Sequence, residues 1–164
     1  MNLFKNISLK EQILNIRERE FATTMRVLKS YPEDKLDMRP AEKSRSAKEL
    51  IAIFVGEEYV CKAAMCNKNI STSIPKMPID SLKDMLEMFN QVHNEVQNMI
   101  AQAADEEMER IFDFYGNPFS VLEVLWIELH DQIHHRGQFS IYLRLVGAKV
   151  PSIYGPSADE PIPA

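Results

Sequence analysis

Between Ser81 and Ala104 the apolar residues Leu82, Met85, Phe89, Val92, Val96, Met99 and Ala103 recur in alternating steps of three and four. A strand alternates every second residue, so this spacing can bury one side only as a helix, and the 3–4 alternation is the seam of a helix packed in a bundle. Three further segments carry related patterns. The first runs from about Ser8 to Ser30, with Ile13, Leu14, Phe21, Met25 and Leu28 on its apolar side, and ends before Tyr31-Pro32. The second begins at Ser46, where Ser46 and Glu49 form the S-x-x-E pattern of a capping box, and continues to about Cys66. Its Leu50, Ile51, Ile53, Phe54, Val55 and Met65 lie around much of the circumference, which predicts burial on more than one side. The last opens with Asn117 as N-cap and Pro118 at the first helical position, runs to about Val146, and stops at Gly147 with Pro151 beyond.

The expectation is an all-α four-helix bundle over residues 8–30, 46–66, 81–104 and 117–146, followed by an extended C-terminal tail over 147–164. The connections Asn67–Asp80, with Pro75 and Pro78, and Asp105–Gly116 are long enough for one or both to cross the bundle. The second has room for a short helical turn around Met108 to Phe112. Five Gly among 164 residues supply too few turns for an all-β sandwich.

With 45% hydrophobic residues, a chain of this length can bury a core without a disulfide or structural metal, and one domain spanning 1–164 is expected. The net charge of −5 and the lack of clustered Lys and Arg leave no footprint for nucleic acid. Cys61 and Cys66 are five apart in one helical segment and project from different faces, so they are expected as free thiols in a reducing compartment. Met1 to Lys10 has no continuous apolar stretch like a signal peptide, and no run of roughly 18 apolar residues suggests a membrane span. These features point to a cytoplasmic protein.

The sharpest chemical signal is the run from Glu128 to Gln138. His130 and His134 are four apart, so both imidazoles share one helix face within reach of a common ion. Their stripe includes Trp126, Gly137, Ile141 and Leu145, which predicts an inward face, where two neutral imidazoles are costly unless something binds them. His135, about 100° around from His134 and four residues after Asp131, is expected as a surface or supporting pair with that carboxylate. The chain has no Gly-rich phosphate loop, G-x-S-x-G elbow or CxxC pair.

The run His130-x-x-x-His134-His135-Arg136-Gly137-Gln138, followed by Tyr142-Leu143-Arg144-x-x-Gly147 and Pro151-x-x-Tyr154-Gly155, resembles the C-terminal signature of the DinB-like superfamily. Ser44-Arg45-Ser46-Ala47-Lys48-Glu49-Leu50 resembles the start of that family's second helix. The resemblance implies a four-helix bundle with up-down-down-up connectivity, often dimeric, that holds a divalent ion, usually nickel or zinc, on three histidines. Carried onto this chain, His130 and His134 match the two ligands of the last helix. The helix-two histidine falls at or next to Ile53, and no histidine stands there.

Glu57, one turn beyond Ile53, is the first candidate for the missing ligand, giving a His₂Glu set with an open position. Glu58 and His93 are the substitutes. Glu20 could support a ligand histidine but fits a solvated face better, and Cys61 fits a small core filler better than a soft ligand. Arg136 and Arg144 are expected to brace helix ends or the tail, which Tyr154, with Pro151, Gly155 and Pro156, packs over the bundle. Two functions compete. One is a metal-dependent enzyme that activates water or a thiol toward a small-molecule substrate, as the resemblance to hydrolases, isomerases and thiol S-transferases implies. The other is a non-catalytic, homodimeric stress-response or ligand-binding module with a degenerate metal site. A third idea is an apolar ligand site among Phe54, Phe89 and Trp126.

Overall fold

Three of the four long helices start with the same device. Ser8, Ser46 and Ser120 each accept a hydrogen bond from the backbone N–H three residues on, while Glu11, Glu49 and Glu123 reach back to the cap's own N–H. The fourth uses Ser81, which accepts from the N–H of Asp84. The computed structural model describes residues 7–161. Residues 1–6 of the Met1–Lys10 stretch and 162–164 of the tail lie outside the described residues. The elements are α1 (Leu9–Lys29), α2 (Ala47–Cys66), α3 (Ile70–Ser73), α4 (Leu82–Gln102), α5 (Asp105–Glu109), β1 (Ile111–Phe114), β2 (Asn117–Ser120) and α6 (Val121–Leu145).

Two apolar clusters set the helix directions. One gathers Val27 and Leu28 late in α1, Leu50 and Ile51 early in α2, Met85 early in α4, and Phe139 and Leu143 late in α6. The other gathers Ile13, Ala63, Ala64, Ile100, Val121 and Val124 from the opposite ends. Thus α1 and α6 run one way, α2 and α4 the other, which is the expected up-down-down-up order. Lys10 donates to the Ala103 carbonyl (2.8 Å) and the Tyr142 hydroxyl to the Arg45 carbonyl (2.8 Å), tying antiparallel neighbours at their ends. The parallel neighbours α2 and α4 pack together, so residues 67–81 cross the length of the bundle. Among the described residues, no helix is long and apolar enough to cross a membrane.

Two expectations need correction. The last long helix begins at Val121, not near Asn117, because Ile111–Phe114 and Asn117–Ser120 pair as an antiparallel hairpin, with Phe112 opposite Phe119 and Phe114 opposite Asn117. Tyr115 (φ 51°) and Gly116 (φ 84°) form its two-residue loop, whose two positive φ angles match the strand twist of a type I′ turn. The short helical turn precedes the strands, at Asp105–Glu109, instead of spanning Met108–Phe112. Beyond Leu145 the chain is irregular as expected, and it is tied down by side chains. Arg136 donates to Glu20 (2.6 Å) and to the Tyr154 hydroxyl (2.6 Å), and Arg144 pairs with Asp159. Cys61 is buried and Cys66 exposed, both unbridged.

At mid-height the four long helices meet through polar side chains. Arg17 of α1 donates to Glu58 of α2 (2.6 Å) and to the Cys61 sulfur (3.4 Å), His93 of α4 approaches Glu58 through Nδ1 (3.2 Å), and Gln132 of α6 donates to the same carboxylate (3.1 Å). The His93 ring stacks flat on Phe21, with centroids 3.8 Å apart. Burial pushes the Glu58 carboxyl up, but the Arg17 guanidinium, with His93 and Gln132, overrides it and holds the pKa near 2.

Because that value lies below the ordinary 4.5, the native state binds this proton more weakly than the unfolded chain does. The stabilisation is therefore complete above about pH 4.5 and lost as the pH falls toward 2. Glu58→Gln leaves Arg17 buried without its counter-charge and is expected to lower the unfolding free energy at pH 7 by about 3–5 kcal/mol. Urea unfolding should show this loss together with a flatter acid limb.

Candidate metal centre

Along α2 successive side chains are turned by 100°, so Glu58, pointing into the core, leaves Glu57 facing the groove between α2 and α6. Across that groove, α6 presents His135, 8% exposed, and one turn earlier Asp131. The Nδ1 of His135 lies 2.7 Å from Glu57 Oε1 and 3.9 Å from Asp131 Oδ1. One ligand atom from each of the three residues falls within 4.8 Å of the others, and among the described residues this is the one such convergence of three or more His, Cys, Asp or Glu. Phe54 meets the edge of the His135 ring at 6.1 Å between centroids and helps set its orientation.

The charges here are unresolved by the protein itself. Burial, reinforced by Asp131 and Glu58, pushes the Glu57 carboxyl up to about 10, and burial pushes the His135 imidazole down. Both therefore favour their neutral forms although they touch, and the second Glu57 oxygen, Oε2, is buried with no hydrogen-bond partner. An orphaned buried acceptor of this kind calls for an explanation. Glu128, one turn before Asp131, is also buried and faces the same groove. Burial, together with the charges of Glu57 and Asp131, raises it to about 8.

The groove opens into a cleft of about 700 Å³, within the usual range for small-molecule sites. Its walls are mostly apolar, from Ile53, Val60, Ile74, Met77, Phe114 and Ile127, with Tyr115 and Arg45 also lining it. Tyr115 stands on the hairpin loop in the left-handed region, which costs a non-glycine residue about 1 kcal/mol or more.

Of the ligand candidates named from sequence, Glu57 stands in this cluster and His130, His134, Glu58 and His93 do not. His130 and His134 project from the outer face of α6, with Gln138 donating to His134 (2.6 Å) and Trp126 stacked on His130 at 5.9 Å. The stripe they define is not inward, since Ile141 and Leu145 on it are 58% and 57% exposed. Glu58 and His93 belong to the core cluster around Arg17, and Glu20 pairs with Arg136. Phe54 and Phe89 pack against each other in the core at 6.3 Å, leaving no ligand space between them. Asp131 and His135, expected as a surface or supporting pair, are instead the α6 side of the cluster, and Glu128, given no role from sequence, joins them in the cleft. The signal for them was present. Val121, Val124, Leu125, Leu129, Phe139 and Leu143 mark the buried face of α6, and stepping along it by three and four lands on Glu128, Gln132 and His135.

The chain matches the family model described as DinB family over residues 4–163, so it belongs to the DinB family. YrdA of Bacillus subtilis (strain 168), an uncharacterised protein, is 31% identical over 81 residues, 49% of this chain and 48% of YrdA, so the match spans about half the length of that relative. Among solved structures, the fold is similar to that of a DinB-like protein from Bacillus cereus ATCC 10987, with TM-score 0.75, 21% identity, and 88% of this chain and 97% of that one covered. It is also similar to YfiT from Bacillus subtilis, described as a probable metal-dependent hydrolase with an unusual four-helix bundle topology, with TM-score 0.68, 10% identity, and 91% and 93% covered. At these identities the structural likenesses establish the fold.

The raised Glu57 carboxyl has a consequence for the metal-free protein. Its native state holds the proton more tightly than the unfolded chain, so stability falls as the pH rises from about 4.5 toward 10. Glu57→Gln removes that penalty. In EDTA it should be more stable than the parent by about 1 kcal/mol or more at pH 8 and nearly equal to it at pH 5, as read from urea midpoints.

Proposed function

We propose that this DinB-family protein is a metal-dependent hydrolase whose divalent ion is held by Glu57, Asp131 and His135. The observation that carries the reading is the convergence of these three side chains around a buried carboxylate oxygen that lacks a partner. One imidazole nitrogen and two carboxylates form a mixed, oxygen-rich donor set that suits a divalent first-row ion, with zinc and nickel as the ions to test first. The set differs from three histidines by two carboxylates, and Ile53 lines the cleft instead of ligating.

When bound, such an ion supplies Lewis acidity, polarising a substrate oxygen and lowering the pKa of water. The remaining work falls to the chain. His135 must stay neutral to present a lone pair, and its burial favours that form. Glu57 and Asp131 would balance the charge of such an ion. Glu128, buried in the same cleft and raised to about 8 by its surroundings, is the carboxyl there that can take and return a proton. The apolar walls limit water around the reacting bond. The resemblance of YfiT favours hydrolysis over thiol transfer as the first chemistry to assay.

A second reading, a ligand-binding module without catalysis, is favoured by Ile53, because the α2 position implied for a histidine carries an apolar wall residue. Elemental analysis of tag-free protein, with zinc and nickel titrations followed by thermal melting, separates the two. About one ion per chain and a raised melting temperature support the metalloenzyme, since a ligand that binds only the folded state stabilises it. His135→Ala should lose the ion and Glu57→Gln should weaken it at least about tenfold, while His130→Ala and His134→Ala should keep it. Retention of the ion in His135→Ala, or its loss in His130→Ala, would overturn the ligand set.

A further inference from the structure

The cleft combines two kinds of lining. Glu57, Asp131 and His135 converge in it, with Glu49 and Glu128 as further carboxyl groups, and most of the remaining wall is apolar. Arg45 also lines the cleft, from the residue before the Ser46 cap of α2. It is exposed, and among the described residues it forms no ion pair, whereas Arg39, its neighbour on the same connection, is taken by Glu49. A guanidinium left unpaired beside an apolar wall is built to take an anionic group, which it can grip with two parallel N–H donors.

Tyr115 also lines the cleft. A type I′ loop favours Asn-Gly, because Asn tolerates the left-handed region and a bulky aromatic does not. Tyr115-Gly116 keeps the glycine and puts tyrosine at the disfavoured position, with a ring that is 66% exposed and packed edge-on against Phe114 at 4.8 Å. The hairpin thus holds an exposed aromatic at the cleft in a backbone conformation that works against folding. Strain of this kind persists where the side chain has a use.

We propose that the cleft binds a small organic anion with an apolar body. Its charged end pairs with Arg45, its body lies along Ile53, Ile74 and Ile127, and the Tyr115 ring covers it. The inference rests on the reading of Glu57, Asp131 and His135 as the reacting end, and it names the substrate class that such a cleft selects.

The test uses the full chain in EDTA, so that no bound cation can attract the ligand, with hexanesulfonate as probe and hexan-1-ol as its neutral match. Calorimetric titration should show hexanesulfonate binding about tenfold tighter than the alcohol. Arg45→Gln should erase that preference and leave the alcohol unchanged. Tyr115→Asn should weaken both probes about fivefold while raising the melting temperature by a few degrees, because the turn is relieved. Equal affinity for the two probes, or an unchanged preference in Arg45→Gln, overturns the anionic head. A melting temperature that falls in Tyr115→Asn with binding unchanged overturns the role of the ring. The same protein titrated with zinc keeps the two readings apart. Sulfonate binding without zinc binding sinks the metal site alone, and zinc binding without sulfonate preference sinks the substrate class alone.

Discussion

Glu58 is held by one donor from each of the other three long helices, Arg17, His93 and Gln132, and that shared carboxylate fixes how the bundle is assembled. An ion pair taken out of water contributes less net stability than its Coulomb attraction suggests, since desolvation offsets most of the gain. What it contributes here is orientation. A rotation of α2 that moved Glu58 off its donors would strand a buried charge, so α2 is pinned about its axis, and Glu57 is pinned with it one residue on. The same holds for α6, where Gln132 points to the core and Asp131 and His135 flank it toward the cleft. The candidate centre is thus positioned by a polar cluster that is not part of it.

The centre itself opposes folding. Glu57, Asp131 and Glu128 bring three carboxyl groups to one groove, two of them buried and shifted upward. The Arg17 cluster holds its carboxylate ionised with matched donors, and the groove leaves its own under-matched with an oxygen to spare. Charge that the fold does not satisfy internally is charge available to a ligand, and the Tyr115 turn follows the same logic in the backbone. Both trade stability for a shaped site, as functional sites commonly do.

The connection between the last two long helices carries part of this design. A helix starting at Asn117 would have run straight from the α5 region into α6. The Ser120–Glu123 capping box instead starts α6 one turn later and leaves Asn117–Ser120 free to pair with Ile111–Phe114. That hairpin brings Phe114 and Tyr115 to the cleft, so a choice between two N-caps three residues apart decides whether the cleft has an aromatic wall.

Read alone, the sequence determined the four long helices, the capping of the second at Ser46, two connections long enough to cross the bundle and the family. Each of these is written in local signals: the Ser46–Glu49 box, the 3–4 seam of Leu82 to Ala103, and the Gly147 stop. It also pointed to Glu57, because a carboxylate on an apolar stripe is conspicuous. Which face of α6 turns inward was beyond it. That helix carries apolar residues all round, Trp126, Ile133, Ile141 and Leu145 on one side and Val124, Leu125, Leu129, Phe139 and Leu143 on the other, so periodicity cannot choose between them. One residue of slip is 100° of rotation, enough to exchange His130 and His134 for Asp131 and His135. Only the tertiary structure decided it, because the choice is made by partners remote in sequence: Glu58 across the core from Gln132, and Glu57 across the groove from His135.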